Sequence, residues 1–179
     1  MSQPHRLRGH ILTFSGNPFT DGWEDTVSVL ENSAVLIEGG KITAVGTAAE
    51  AATATETRHD GRLICPGFVD AHVHYPQTAM IASWGKRLID WLSTFTFPEE
   101  MRFGDRDYAA DIAARYLDLA LDHGTTSMAS YCTIHPASVD ALFEAAQARG
   151  MAVVAGKTCM DRNAPDGLRD TAQSAYDDS

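Results

Sequence analysis

The sequence predicts an α/β fold in two parts, a β-rich segment over residues 1–66 followed by alternating strands and helices over residues 67–179. Three observations lead there. Apolar residues alternate with a period of two before Pro66, the period lengthens to that of helices in several windows after it, and Pro66-Gly67 punctuates the change. With 44% hydrophobic and 21% charged residues the chain of 179 can bury a core. Its net charge of −10, with no cluster of Lys and Arg, argues against a nucleic-acid partner. Apolar runs such as Met151 to Ala155 fall far short of the ~20 residues a spanning helix needs, so no membrane role is expected. The first residues show no apolar stretch before a small-residue cleavage site, hence no signal peptide is read. Cys65, Cys132 and Cys159 are odd in number and form no CxxC pair, which fits a reduced, cytoplasmic protein.

In the first part, residues 6–14 alternate as a strand with one buried face. Residues 33–38 and 41–45 flank Gly39-Gly40, a dipeptide that readily takes positive φ, and so predict a hairpin. The Ala/Thr-rich stretch 47–57 reads as a surface loop or short helix, and residues 62–65 return to strand. In the second part, residues 68–74 read as a short strand and 75–77 as a loop. Residues 87–95 read as a helix with Leu88, Trp91, Leu92 and Phe95 on one face. A stronger helix covers 105–123, capped by Asp105, ended by Gly124 and lined by Tyr108, Ile112, Tyr116 and Leu119. A buried strand at 125–131 follows, then a helix at 136–149 with Val139, Leu142, Phe143 and Ala146 inward, and a strand at 151–159. A last helix starts near Asp166 with Leu168, Ala172 and Tyr176 on one face. Strand–helix–strand units with short connections predict a parallel sheet with right-handed crossovers. A closed eight-stranded barrel takes about 250 residues, and Gly67–Ser179 is less than half of that. The sheet is therefore either open and doubly wound or the front of something longer.

The sharpest local feature is His72-Val73-His74. Alternate residues on a strand face the same side, so both imidazoles would look into one cavity at the carboxyl end, and two neutral imidazoles fill two corners of a zinc-type shell. Alone the motif is weak: with 7 histidines about one shuffled chain in five contains it. Two hydrogen-bonded histidines without a metal remain the alternative.

Leu63-Ile64-Cys65-Pro66-Gly67-Phe68-Val69-Asp70-Ala71-His72-Val73-His74 resembles the first barrel strand of the amidohydrolase superfamily. Further blocks are similar to its guanine deaminase family: His74-Tyr75-Pro76-Gln77, Trp91-Leu92 followed by Thr96-Phe97-Pro98-Glu99-Glu100, His123-Gly124-Thr125-Thr126, Thr133-Ile134-His135-Pro136, and the run from Gly156 to Asp166. They occur in the family's order from Leu63 almost to the end. The resemblance implies an incomplete (β/α)8 TIM barrel over 67–179, preceded by part of a small β-sandwich domain over 1–66. It also implies hydrolysis of guanine to xanthine and ammonia by metal-activated water, with His72 and His74 on zinc, or on iron, and Gln77 on the purine. A homodimer is implied for the longer protein. The family's other metal ligands, its proton-shuttling glutamate and its arginine–phenylalanine pair have no counterpart here, so catalytic residues are expected beyond Ser179 and this chain alone is expected to be inactive.

Without the family, Gln77 is a solvated loop residue. Trp91 either walls a purine pocket or belongs to a core. Asp70 either orients a ligand ring or bonds to backbone, His135 lies at a barrel mouth or caps a helix, and His123 suits a helix carboxyl end. Lys157, read inside a strand, needs a partner if buried. Competing readings are a triazine or pterin aminohydrolase of the same superfamily and a non-catalytic α/β metal-binding domain.

Overall fold

The computed structural model describes residues 3–85 and 87–179, and the chain divides into two compact units, Met1–Pro66 and Gly67–Ser179. The fold is mixed α/β with two sheets. Among the described residues no helix is long and apolar enough to cross a membrane.

The first unit holds β1 (His5–Phe14), the one-turn helices α1 (Pro18–Asp21) and α2 (Trp23–Thr26), β2 (Val27–Glu38), β3 (Lys41–Val45), α3 (Thr47–Glu50) and β4 (Thr55–Ile64). Strand order is β3-β2-β1-β4, antiparallel except for the parallel β1–β4 pair. The expected hairpin is present: Glu38 pairs with Lys41 across Gly39 (φ 57°) and Gly40 (φ 78°), a left-handed pair that side chains resist. Ala34, Leu36 and Ala49 form a small core beneath it. The stretch 47–57 is not one loop or helix. It divides into α3 and the start of β4, because Thr55 to Thr57 are recruited as partners of His5 to Leu7 on β1.

The second unit runs β5 (Phe68–His74), a 3-10 turn (Tyr75–Met80), α4 (Leu88–Trp91), a π turn (Leu92–Thr96), α5 (Phe97–Met101), a 3-10 turn (Arg102–Gly104), α6 (Arg106–Asp122), β6 (Thr125–Tyr131), α7 (Pro136–Arg149), β7 (Ala152–Gly156), a 3-10 turn (Asp166–Leu168) and α8 (Ala172–Asp177). Its sheet is parallel, in the order β5-β6-β7. Asp105 caps α6 by accepting from the backbone N–H groups of Asp107 and Tyr108. The core gathers Tyr75, Phe103, Ile112, Leu117, Met128 and Leu142 between the helices and the sheet.

Four expected elements differ. The helix read at 87–95 begins at Leu88 and continues through the π turn into α5, with Leu88 exposed and Thr96 and Glu100 buried, because the π turn rotates the inward face. On α6 and α7, Leu119 and Phe143 are exposed. The buried stripes instead pass through Ala109, Ala113 and Leu117 and through Ser138, Ala141 and Leu142, small residues that admit close packing. The last strand is confined to Ala152–Gly156 rather than 151–159. The helix expected from Asp166 is a 3-10 turn, then extended backbone at Arg169, then α8 capped by Thr171. Tyr176 is exposed and Ala175 buried in its place.

Candidate metal and base site

β5 ends in the His72-Val73-His74 triplet, and its alternation turns both imidazoles the same way: their ring centroids lie 5.4 Å apart with 50° between planes. Tyr131, paired with His74 at the end of the adjacent parallel strand β6, stacks on the His74 ring at 4.8 Å and 19° and approaches His72 at 5.3 Å. His74 is half-buried and His72 exposed. Burial, and secondarily the charge of His72, holds the His74 imidazole below its ordinary pKa, toward the neutral form that binds cations.

Two imidazoles on one tetrahedral zinc, each nitrogen about 2.0 Å from the ion, place their ring centroids about 5 Å apart. The observed 5.4 Å fits a shared cation. No group of three or more His, Cys, Asp or Glu gathers as a metal cage among the described residues, so this chain offers the pair alone.

Past His74 the backbone turns into the 3-10 segment, anchored by fully buried Tyr75 and Pro76 and by the Thr78 hydroxyl donating to the Tyr75 carbonyl at 2.6 Å. This anchoring fixes where Gln77 points. Its Nε2 donates to Oε1 of Glu100 on α5 at 3.3 Å. Trp91, at the end of α4, donates from Nε1 to the Ser83 carbonyl at 3.0 Å. His72, His74, Gln77 and Trp91 all line one cavity of about 450 Å³, together with Ser83 and Tyr116.

The remaining sequence candidates lie elsewhere. Asp70 accepts a backbone bond from His72 N–H at 3.2 Å, the backbone alternative of its two readings. His135 is the N-cap residue of α7, with Nε2 buried and unbonded. His123 ends α6, its Nδ1 2.8 Å from the Leu119 carbonyl. Lys157 lies just beyond β7 and pairs with Asp170. Sequence reasoning passed over Tyr131 and Glu100. Tyr131 was findable, since it ends the strand beside the histidine strand; Glu100 was hidden by the π turn that rotates it inward.

A model of the amidohydrolase family matches residues 63–179. The chain belongs to the amidohydrolase family. Among amidohydrolases it is similar to the guanine deaminase of Escherichia coli K12, with 43% identity over 188 residues covering 100% of this chain and 43% of that protein. It superposes on guanine deaminase from Bradyrhizobium japonicum with TM-score 0.90 and 33% identity, covering 99% of this chain and 40% of that one. On guanine deaminase from C. acetobutylicum, solved with guanine bound in its active site, the TM-score is 0.78 and identity 26%, covering 98% and 41%. The chain thus spans less than half the length of the amidohydrolases it matches.

Proposed function

We propose that the protein is a guanine deaminase, converting guanine and water to xanthine and ammonia, and that this chain supplies its first βα units. On this reading residues 67–179 are the opening of a (β/α)8 barrel and residues 1–66 part of a β-sandwich domain. The observation that carries the reading is the gathering of His72, His74, Gln77 and Trp91 around one cavity of about 450 Å³, in a chain 43% identical to an E. coli guanine deaminase. That volume suits a purine-sized ligand.

His72 and His74 hold a divalent cation, zinc or alternatively iron, at the carboxyl end of β5, where barrel enzymes place their chemistry. When bound, such an ion supplies Lewis acidity that brings the pKa of water toward neutrality. The Gln77 amide offers both a donor and an acceptor to the edge of a base that carries both. The Trp91 ring provides a flat apolar wall for the purine face. Tyr131 keeps the His74 ring from rotating by stacking on it. A catalytic zinc usually takes three protein ligands, so the remaining ligands and the acid that moves protons to the leaving amine come from sequence beyond Ser179. The isolated chain is accordingly predicted to be inactive.

The test is turnover by the full-length protein of guanine beside ammelide-type triazines and pterins. Xanthine and ammonia from guanine, with little product from the others, supports the assignment; preference for a triazine or pterin replaces it.

A further inference from the structure

We propose that Glu100 is a positioning residue for Gln77: its carboxylate fixes which way round the Gln77 amide faces the cavity, and so the order of donor and acceptor presented to the base. This rests on the reading of Gln77 as the guanine-binding amide.

A side-chain amide can rotate by half a turn and exchange its oxygen for its nitrogen at almost no steric cost. The two orientations present opposite patterns to a ligand. An ionised carboxylate has only acceptors, so a carboxylate beside Gln77 admits one orientation, with Nε2 toward the acid. The structure has that arrangement, with Nε2 of Gln77 donating to Oε1 of Glu100 at 3.3 Å. One N–H and the Oε1 of Gln77 are then left for the cavity that Gln77 lines.

The surroundings of Glu100 argue against a purely structural role. Its neighbour Glu99 faces the other way, pairing with Arg102 at 3.1 Å and accepting from the Tyr108 hydroxyl. Glu100 instead turns inward and is 8% exposed. Among the described residues its carboxylate takes part in no ion pair, and the bond from Gln77 is its one hydrogen bond. Burying a carboxylate against a single neutral donor costs stability rather than adding it, so what Glu100 contributes is the orientation of its partner. Burial raises the Glu100 pKa and the Gln77 bond opposes that rise, as expected if the donor is matched to the charged form.

Replacement by glutamine keeps the shape of residue 100 but lets it accept or donate, which frees the Gln77 amide to adopt either orientation. The experiment is a double-mutant cycle in the full-length enzyme, measuring kcat and KM for guanine in wild type, Glu100→Gln, Gln77→Ala and the double variant. We expect E100Q to raise KM about tenfold with kcat within about threefold, the pattern of lost uniform binding. In the Q77A background it should add less than about twofold, because the residue it orients is gone. A structural role would instead lower melting temperature and kcat together and would add fully to Q77A. Equal KM effects of E100Q in both backgrounds, or a KM within about twofold of wild type, overturn the proposal. Should E100Q fail to fold, Glu100→Asp, which keeps an acceptor-only group out of reach of Nε2, goes through the same cycle with the same criteria. No guanine turnover by the wild-type enzyme, or a Q77A variant with unchanged KM, overturns the guanine reading and this proposal with it. Turnover without coupling overturns the role of Glu100 alone.

Discussion

Lys157 and Asp170 form an ion pair of 3.1 Å with both side chains withdrawn from water, 3% and 7% exposed. Asp170 also accepts from the Met160 N–H at 3.4 Å and returns its own N–H to the Met160 carbonyl at 2.8 Å. The chain after β7 is thus fastened to the segment leading into α8 by one buried charge pair and a backbone bond. Removing one partner strands the other charge in a place that cannot hydrate it. Asp170→Ala should cost about 3–5 kcal/mol, measured by urea unfolding, while replacing both residues by apolar ones of similar volume should cost much less. A loss below about 1 kcal/mol for D170A would mean that the ammonium reaches water.

Gly67 opens β5 where the strands come too close for a side chain. A Cβ there would lie 2.1 Å from Oγ1 and 2.4 Å from Cγ2 of Thr126. Gly67→Ala is expected to destabilise the protein by roughly 1–3 kcal/mol, the usual cost of overpacking, and Thr126→Gly to recover part of it in the double variant. Thermal melts of the three proteins decide this, and an unchanged midpoint for G67A would contradict it.

Glu100 gives a pH signature. Its pKa is raised in the folded protein, chiefly by burial. A raised acid contributes stability that is fully present below the unfolded carboxylate pKa and is lost as pH rises through the folded value. The unfolding free energy of wild type minus that of E100Q should therefore fall as pH rises across that window and level off above it. Urea titrations of both proteins at a series of pH values measure this difference, and a difference that grows with pH would contradict the burial account.

The sequence made the parallel alternation of β5, β6 and β7 legible because strong signals agree there: Pro66-Gly67, Gly124 and Gly150 bracket the strands, and Asp105 caps α6. The Gly39-Gly40 hairpin was legible for the same reason. Period alone misplaced Leu119 and Phe143, because it locates an apolar stripe but not which flank of the stripe a neighbour covers. That choice went to alanines and Ser138, whose small size allows close approach. The stretch 87–101 misled because a π turn shifts the facing of everything after Leu92, and that shift also hid Glu100. Asp170 was unreadable because its partner Lys157 was assigned to a strand that ends one residue earlier. His72 and His74 could be brought together from strand alternation, whereas Tyr131 requires knowing the register between strands.

Metal dependence of guanine turnover through the β5 histidines is the most direct measurement. The full-length protein, stripped by a chelator and reloaded with zinc, is assayed for xanthine and ammonia beside His72→Ala and His74→Ala. Stripping should abolish turnover and zinc restore it, and each alanine variant should lose at least about 100-fold in kcat/KM with weakened zinc retention. Guanine turnover within about twofold of wild type in either variant, or unaffected by stripping, would contradict the claim that these two imidazoles share a working cation.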